Sequence, residues 1–293
     1  MKLRKAIDQL MQGVFLSAGL TAVVFLLGIF GMLLFNGAKT FKEVSLAEFF
    51  GSSNWNPSAY GEPSFGILSM LVSTLMVTAG AMLIAIPLGI GTAAYLSEVA
   101  SPKVRNWLKP TIELLAGVPS VAVGFIGIVL VAPAIAKVFG LSNGLNALNG
   151  AILLAVMALP TIITVAEDSM RAVPKQFREA SYALGANGWT TLVRVVLPAS
   201  FSGIIAAIIL GIGRAIGETM TVLMATGNAT AMPNGFFDPV RTLTATIAIE
   251  LGEVAYGTNH YYSLFGLGAV LFVISLLVNL LAEKLASKFR YKL

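Results

Sequence analysis

The sequence predicts an all-α membrane protein with six transmembrane helices. Three observations predict it. Hydrophobic residues make up 57% of the 293 residues and charged residues 11%, with a mean hydropathy of +0.85. Soluble domains carry roughly a quarter charged residues, and a soluble interior is too small to hide this much apolar surface. Six separate stretches are apolar over about the 20 residues that a helix needs to cross a ~30 Å hydrocarbon layer. Finally, Lys and Arg gather on alternate flanks of those stretches, as topology requires.

The stretches are Val14–Phe35, Ile67–Ala94, Ile112–Phe139, Ala151–Ala166, Gly203–Ala225 and Leu264–Ala282. The first follows Lys2, Arg4 and Lys5, but it is too long for a signal-peptide core. The flank Phe35-Asn-Gly-Ala-Lys39 is a poor cleavage site, so it reads as a retained anchor. The second and third carry Pro87, Pro119 and Pro133. Proline inside a span frees a carbonyl and kinks the helix, and such defects need neighbouring helices or a watery cavity. The fourth is short and runs into Pro160 and polar residues.

One set of flanks holds Lys2, Arg4, Lys5, Lys103, Arg105, Lys109, Arg171, Lys175, Arg178, Arg194, Lys284, Lys288, Arg290 and Lys292. The other holds Lys39, Lys42 and Arg241. Both termini are therefore expected in the cytoplasm, which demands an even number of spans. Two long outer loops remain. Residues 36–66 contain Trp55-Asn-Pro57. Residues 226–263 contain Arg241-Thr-Leu-Thr-Ala-Thr-Ile247, too apolar for a free loop and open to a re-entrant or an interfacial reading.

Much chemistry is excluded. The chain has no cysteine, hence no disulfide, thiolate nucleophile or Cys-ligated metal. Its single histidine, His260, is expected to be a loop residue without a special role, and no metal site is expected. The net charge of +5 belongs to the flanks of the spans, which argues against nucleic-acid binding. Glu113 reads as an interfacial residue, and the scattered Met and Phe residues as lipid-facing or packing groups. No internal repeat or low-complexity linker is visible.

The most specific segment lies at about 167–202. It predicts two short helices: Pro174 suits a first turn and Gly185 the left-handed residue that ends the first helix. Pro198 is expected to begin the next span. Glu179, Ala180, Gly185, Leu197 and Pro198 stand at the spacing of the EAA loop, and the segment resembles that of binding-protein-dependent ABC importer permeases. Ser181 replaces the usual alanine and Val195 the usual isoleucine. The resemblance implies a type I (MetI-like) permease bundle. It also implies that Glu179, Ala180, Ser181, Gly185, Leu197 and Pro198 couple the chain to an ATPase. Residues 1–66 would then form an anchor helix and outer loop, and 67–293 the permease core. The chain has no phosphate-binding G-x-x-x-x-G-K-[ST] loop. It is thus expected to be a transport subunit and not an enzyme, with no cofactor of its own. The resemblance places ATP and Mg on a separate ATPase dimer.

The fifth stretch carries Gly211-Ile-Gly213-Arg214-Ala-Ile-Gly217-Glu218-Thr219-Met-Thr221. It is not a dinucleotide fingerprint, because Ile216 stands where a glycine is needed and no strand precedes it. As one continuous helix it would place Arg214 about 17 Å deep, near the midplane. Glu218 and Thr221 would follow on the same stripe, and Gly213 and Gly217 would let another helix approach. An arginine there costs at least about 2.5–3.5 kcal/mol. Two readings stay open: an ion pair of Arg214 with Glu218 that locks the bundle, or a substrate path. In the second, the guanidinium fork suits an oxyanion, Glu218 accepts a proton from it, and Thr219 and Thr221 add hydroxyls.

Gly213-Arg-Ala-Ile-Gly-Glu-Thr-Met220, the run from Thr242 to Glu250, and Trp55-Asn-Pro57 resemble the C-type subunit of the phosphate branch of these permeases over nearly the whole chain. This implies an importer of inorganic phosphate in a bacterial inner membrane. Its other parts would be an A-type sister permease, the ATPase dimer and an extracytoplasmic phosphate-binding protein. A permease for sulfate or molybdate, an ATP-independent channel or secondary transporter, and a non-transporting membrane assembly are the alternatives.

Overall fold

The computed structural model describes residues 2–58 and 61–288. Lys2, Arg4, Lys5, Lys288, Arg290 and Lys292, on which part of the orientation rests, lie outside the described side chains. Without water to satisfy backbone groups, apolar sequence in a bilayer must close its hydrogen bonds within the segment, and helices result. Helix α1 runs over Lys2–Thr40, and α2 over Leu46–Gly51, capped by the Ser45 hydroxyl. A two-residue hairpin pairs β1 (Trp55–Asn56) with β2 (Ser64–Phe65) in antiparallel register. Helix α3 (Leu68–Ala94) holds Pro87 and continues into a π-helical turn, Tyr95–Val99.

The third stretch departs from expectation. Residues from Ile112 to Leu115 belong to a separate helix, α4 (Pro102–Leu115), which carries Lys103, Arg105 and Lys109 beside exposed Trp107 and Leu114. The chain breaks at 116–119, and the span starts at Ser120, just after Pro119. It runs through α5 (Ser120–Ile126), a π-helical turn (Gly127–Val131) and α6 (Ala132–Phe139), with Pro133 in the first turn of α6. The proline that was expected to kink the span instead delimits it, because the residue before proline avoids the helical region.

Helix α7 (Ala147–Arg171) is longer at both ends than the predicted fourth stretch, and the side chain of Asn146 caps it. It is followed by α8 (Lys175–Ala183), α9 (Gly188–Thr191), a π-helical turn (Leu192–Val196) and α10 (Leu197–Ala199). The chain then bends by 72° into α11 (Phe201–Gly217). The expected two short helices separated at Gly185 are present, with Gly185 at φ +84°. The new span begins at Phe201, after Ser200, and not at Pro198.

The fifth span is broken. Helix α11 ends at Gly217, Glu218 is extended (φ −68°, ψ 130°), and a short helix, α12 (Met220–Ala225), resumes after Thr219. Among the described residues five helices are long and apolar enough to cross a membrane, and there are six if the bent pair that ends in α11 is one broken span.

The 226–263 segment folds back into the bundle as α13 (Leu243–Glu250), with Leu243, Thr244, Ala245 and Thr246 buried. The Leu243 N–H donates to Thr74 Oγ1 of α3 at 3.0 Å. The segment is therefore packed against the bundle and is not a free loop. Helix α14 (Asn259–Lys288) closes the bundle.

Small residues on α3 and α7 (Ala81, Ala85, Ala151, Ala155, Ala158) form the densest packing, with Ile162 and Ala215 beside them. Between apolar helices in lipid, close approach replaces the hydrophobic drive. The approach expected at Gly213 and Gly217 falls elsewhere. A Cβ added at Gly203 or Gly211 would strike Ser169 or Ile162 of α7, whereas at Gly213 and Gly217 it would meet nothing within 4 Å. Helix α1 packs along α14, with Phe30 stacked on Phe272 at 4.5 Å, and its most apolar window is otherwise uncovered.

Helix α4 is braced against α7. Glu167 is fully buried and faces Arg105 at 3.3 Å, Arg171 at 3.6 Å and Lys109, which also bonds Asp168. The Arg105–Glu167 contact is close enough for charge attraction, but its atoms are not aligned as a hydrogen bond. Burial pulls the Lys109 ammonium down, yet the bonds to Asp168 and Glu167 outweigh it and hold the group above its ordinary value. A raised ammonium contributes stability below its unfolded value and loses it as pH rises through the folded one, so this brace holds throughout the neutral range.

Candidate functional site

The break in the fifth span sets the charges apart. Arg214 sits in the last turn of α11, where its guanidinium donates to the Ala116 carbonyl (Nη2–O 3.2 Å) and to Thr161 Oγ1 of α7 (Nη1–O 3.3 Å). Ala116 belongs to the break between α4 and α5, so two interrupted helices and α7 meet at this arginine. Among the described residues no carboxylate lies within 4.0 Å of it.

Glu218 does not continue a stripe with Arg214, because its extended backbone turns it off the helix. Its Oε1 instead accepts from the backbone N–H of Thr219 at 3.2 Å and of Thr221 at 3.3 Å. The carboxylate thus caps the start of α12, where unsatisfied N–H groups and the helix dipole favour an anion. Its Oε2 has no hydrogen bond among the described residues. The Glu218 carbonyl accepts from Thr244 Oγ1 of α13 at 2.9 Å. Thr219 is half-buried and its hydroxyl donates to the Gly217 carbonyl at 3.3 Å. Thr221 is fully buried and donates to the Ser120 carbonyl at 3.1 Å. Thr221 thus ties α12 to α5.

In the segment between α7 and α11, Glu179, Ala180 and Gly185 are exposed, and Leu184 and Trp189 beside them are 89% and 73% exposed. Pro198 is exposed, while Leu197 is half-buried against the apolar cluster of Ala93, Met170 and Val196. Ser181, where the pattern has alanine, turns inward and bonds Thr191 at 2.9 Å.

Several contributors were missed by sequence reasoning. Thr161 and Ala116 hold Arg214, and nothing in a linear sequence marks a backbone carbonyl at a break. His260 also departs from expectation. Its Nε2 lies 2.8 Å from Glu250 Oε2, and the same carboxylate accepts from Trp55 Nε1 (3.0 Å) and Arg241 Nη1 (2.9 Å). These residues border a cavity of about 700 Å³. Trp55 and Glu250 stand in two separate segments that carry the family resemblance, and nothing in the linear sequence shows that they meet. Glu250→Ala would orphan the Trp55 and Arg241 donors, and a loss of about 3 kcal/mol is expected. Thermal unfolding of the purified protein checks this, and an unchanged midpoint would contradict it.

Comparison with known proteins agrees with this architecture. Residues 85–291 match the family of binding-protein-dependent transport system inner membrane components. A probable ABC transporter permease of Bacillus subtilis, YqgH, is 40% identical over 273 residues, covering 92% of this chain and 86% of that one. The phosphate transport system permease protein PstC of Mesorhizobium japonicum is 35% identical over 280 residues, covering 89% and 84%. Among solved structures, the inward-facing methionine ABC transporter MetNI aligns with a TM-score of 0.58 at 17% identity, covering 77% of this chain and 95% of that one. The chain therefore belongs to the family of inner membrane permease components of binding-protein-dependent ABC importers. It is a multi-pass, non-catalytic membrane subunit with the MetI-type fold, and such a system includes an ATPase and a binding protein.

Proposed function

We propose that this chain is the C-type permease subunit of an importer of inorganic phosphate, and that Arg214, Glu218 and Thr219 line the route of the anion. The observation that carries the reading is the unneutralised guanidinium of Arg214 among three converging helix segments. A charge that costs at least about 2.5–3.5 kcal/mol to place, held only by a carbonyl and a hydroxyl, keeps donors free for an oxyanion. Helix α5 begins close by without a side-chain cap, which leaves its first N–H groups for an acceptor. The identity of the curated phosphate permeases, at 30–35% over most of the chain, supports the same cargo.

Glu218 favours phosphate over sulfate. Its free Oε2 is an acceptor only. Phosphate near neutral pH keeps a proton to donate to it, whereas fully deprotonated sulfate meets repulsion, the penalty that separates similar ligands.

In this reading both termini are cytoplasmic, and an A-type sister permease completes the path. Lys137, at the outer end of α6, joins the sparse outer basic set. Helix α8 with Glu179, Ala180, Ser181, Gly185, Leu197 and Pro198 forms the coupling segment. ATP and Mg bind on the ATPase dimer, and a phosphate-binding protein delivers the cargo from outside. Uptake of labelled phosphate by cells expressing all subunits tests the drive. Inactivating the ATPase is expected to abolish uptake, and uptake that survives would overturn ATP-driven import.

A further inference from the structure

Arg178 lies on α8, one residue before Glu179, and its guanidinium uses every nitrogen. Nε and Nη2 grip Glu98 at the end of α3, with Nη2–Oε1 at 2.7 Å and Nε–Oε2 at 3.1 Å. Nη1 donates to the Val173 carbonyl at 2.6 Å, and Nη2 also donates to the Met170 carbonyl at 2.8 Å. Met170 is in the last turn of α7 and Val173 just beyond it, where carbonyls lack intrahelical partners. Glu98 is further held by the Ser97 hydroxyl at 2.8 Å, and both members of the pair are largely buried.

Among the described residues, the side-chain hydrogen bonds from α8 to the ends of α3 and α7 all come from Arg178. The other side-chain bond of the helix, Ser181 to Thr191, leads to the segment that enters α11. The α8 helix is thus fastened to the ends of α3 and α7 and to α9. Among the described residues, Arg178 is the side chain of α8 whose hydrogen bonds reach both the α3 and α7 ends, and α7 carries Thr161, a partner of Arg214.

We propose that Arg178 and Glu98 form the latch through which movement of α8 is passed to α3 and α7, making Arg178 a positioning residue for transport. The proposal rests on the reading of α8 as the helix that docks on the ATPase. A guanidinium is a rigid planar fork that bonds the carboxylate and two carbonyls at once, whereas an ammonium is a point charge with three donors on a flexible stem. Arg178→Lys therefore keeps the charge but lets α8 slip against the bundle, so the ATPase turns over without moving the spans.

The test uses the full complex in proteoliposomes: this chain, the sister permease, the ATPase dimer and the binding protein, with radiolabelled phosphate. The readout is ATP hydrolysed per phosphate imported. Arg178→Lys is expected to raise that ratio about tenfold or more, the scale of ordinary coupling energies, with the ATPase still bound. Glu98→Gln, which keeps shape and removes charge, carries the same expectation and decides the matter if the lysine variant does not accumulate. An unchanged ratio overturns the latch. So does loss of the ATPase from both variants, which would make Arg178 part of the docking contact, or failure of both to accumulate, which would make the pair a fold element only. Failure of the wild-type complex to import phosphate, or normal ATPase binding by Gly185→Asp in the turn after α8, would count against the underlying reading instead.

Discussion

Replacing Arg214 with glutamine is expected to lower phosphate uptake roughly ten- to a hundredfold while leaving assembly intact. The magnitude follows from the loss of charge-assisted hydrogen bonds to a bound anion, about 1.5–3 kcal/mol. The prediction of normal assembly follows from the geometry. Had Arg214 been locked to Glu218, its removal would leave a buried carboxylate unpaired at a cost of about 3–5 kcal/mol. Instead Glu218 is bound by two backbone N–H groups of the next helix turn, and Arg214 by two neutral acceptors at 3.2 and 3.3 Å. Glutamine retains an amide that can serve one of them. Uptake assays together with co-purification of the partner subunits check both halves. Collapse of the complex would restore the locking ion pair that the sequence left open.

Gly185→Asp is expected to abolish uptake by releasing the ATPase. The residue has φ +84°, a region that costs a non-glycine residue roughly 1–2 kcal/mol. A Cβ there meets nothing within 4 Å, so the chain itself has room for the side chain. The larger effect must come from outside: a carboxylate placed beside the exposed Leu184 and Trp189, on a surface whose apolar side chains need cover. Gly185→Ala carries the backbone strain without the charge and is expected to keep most of the uptake. Co-purification of the ATPase separates the two variants. Equal loss in both would assign the effect to the turn and not to the docked surface.

The fold was legible because a bilayer enforces simple rules. Apolar length gave five or six spans, and Pro174 and Gly185 gave the two short helices that precede α11. What the sequence did not reveal was where helices stop. Gly203–Ala225 reads as one apolar span, yet α11 ends at Gly217 because Glu218 bonds the backbone ahead of it and so favours an extended residue over a helical one. That local competition is invisible to hydropathy, and it separates Arg214 from Glu218. Ile112–Leu115 likewise reads as the start of the next apolar stretch, while its neighbours Arg105 and Lys109 reach Glu167 and hold the segment in a separate helix. The cluster around Glu250 stayed hidden for a different reason. Trp55 and Glu250 are 195 residues apart, and only the closure of the bundle brings them together.

The central claim is that an uncompensated arginine at a broken span carries phosphate through an ATP-driven permease. The most direct measurement is ATP-dependent accumulation of radiolabelled phosphate by proteoliposomes holding the complete complex, with wild-type chain or Arg214→Gln. The account predicts accumulation with the wild type, resistance of that uptake to excess sulfate, and a fall of roughly ten- to a hundredfold with the variant. Accumulation by Arg214→Gln at the wild-type rate would contradict it.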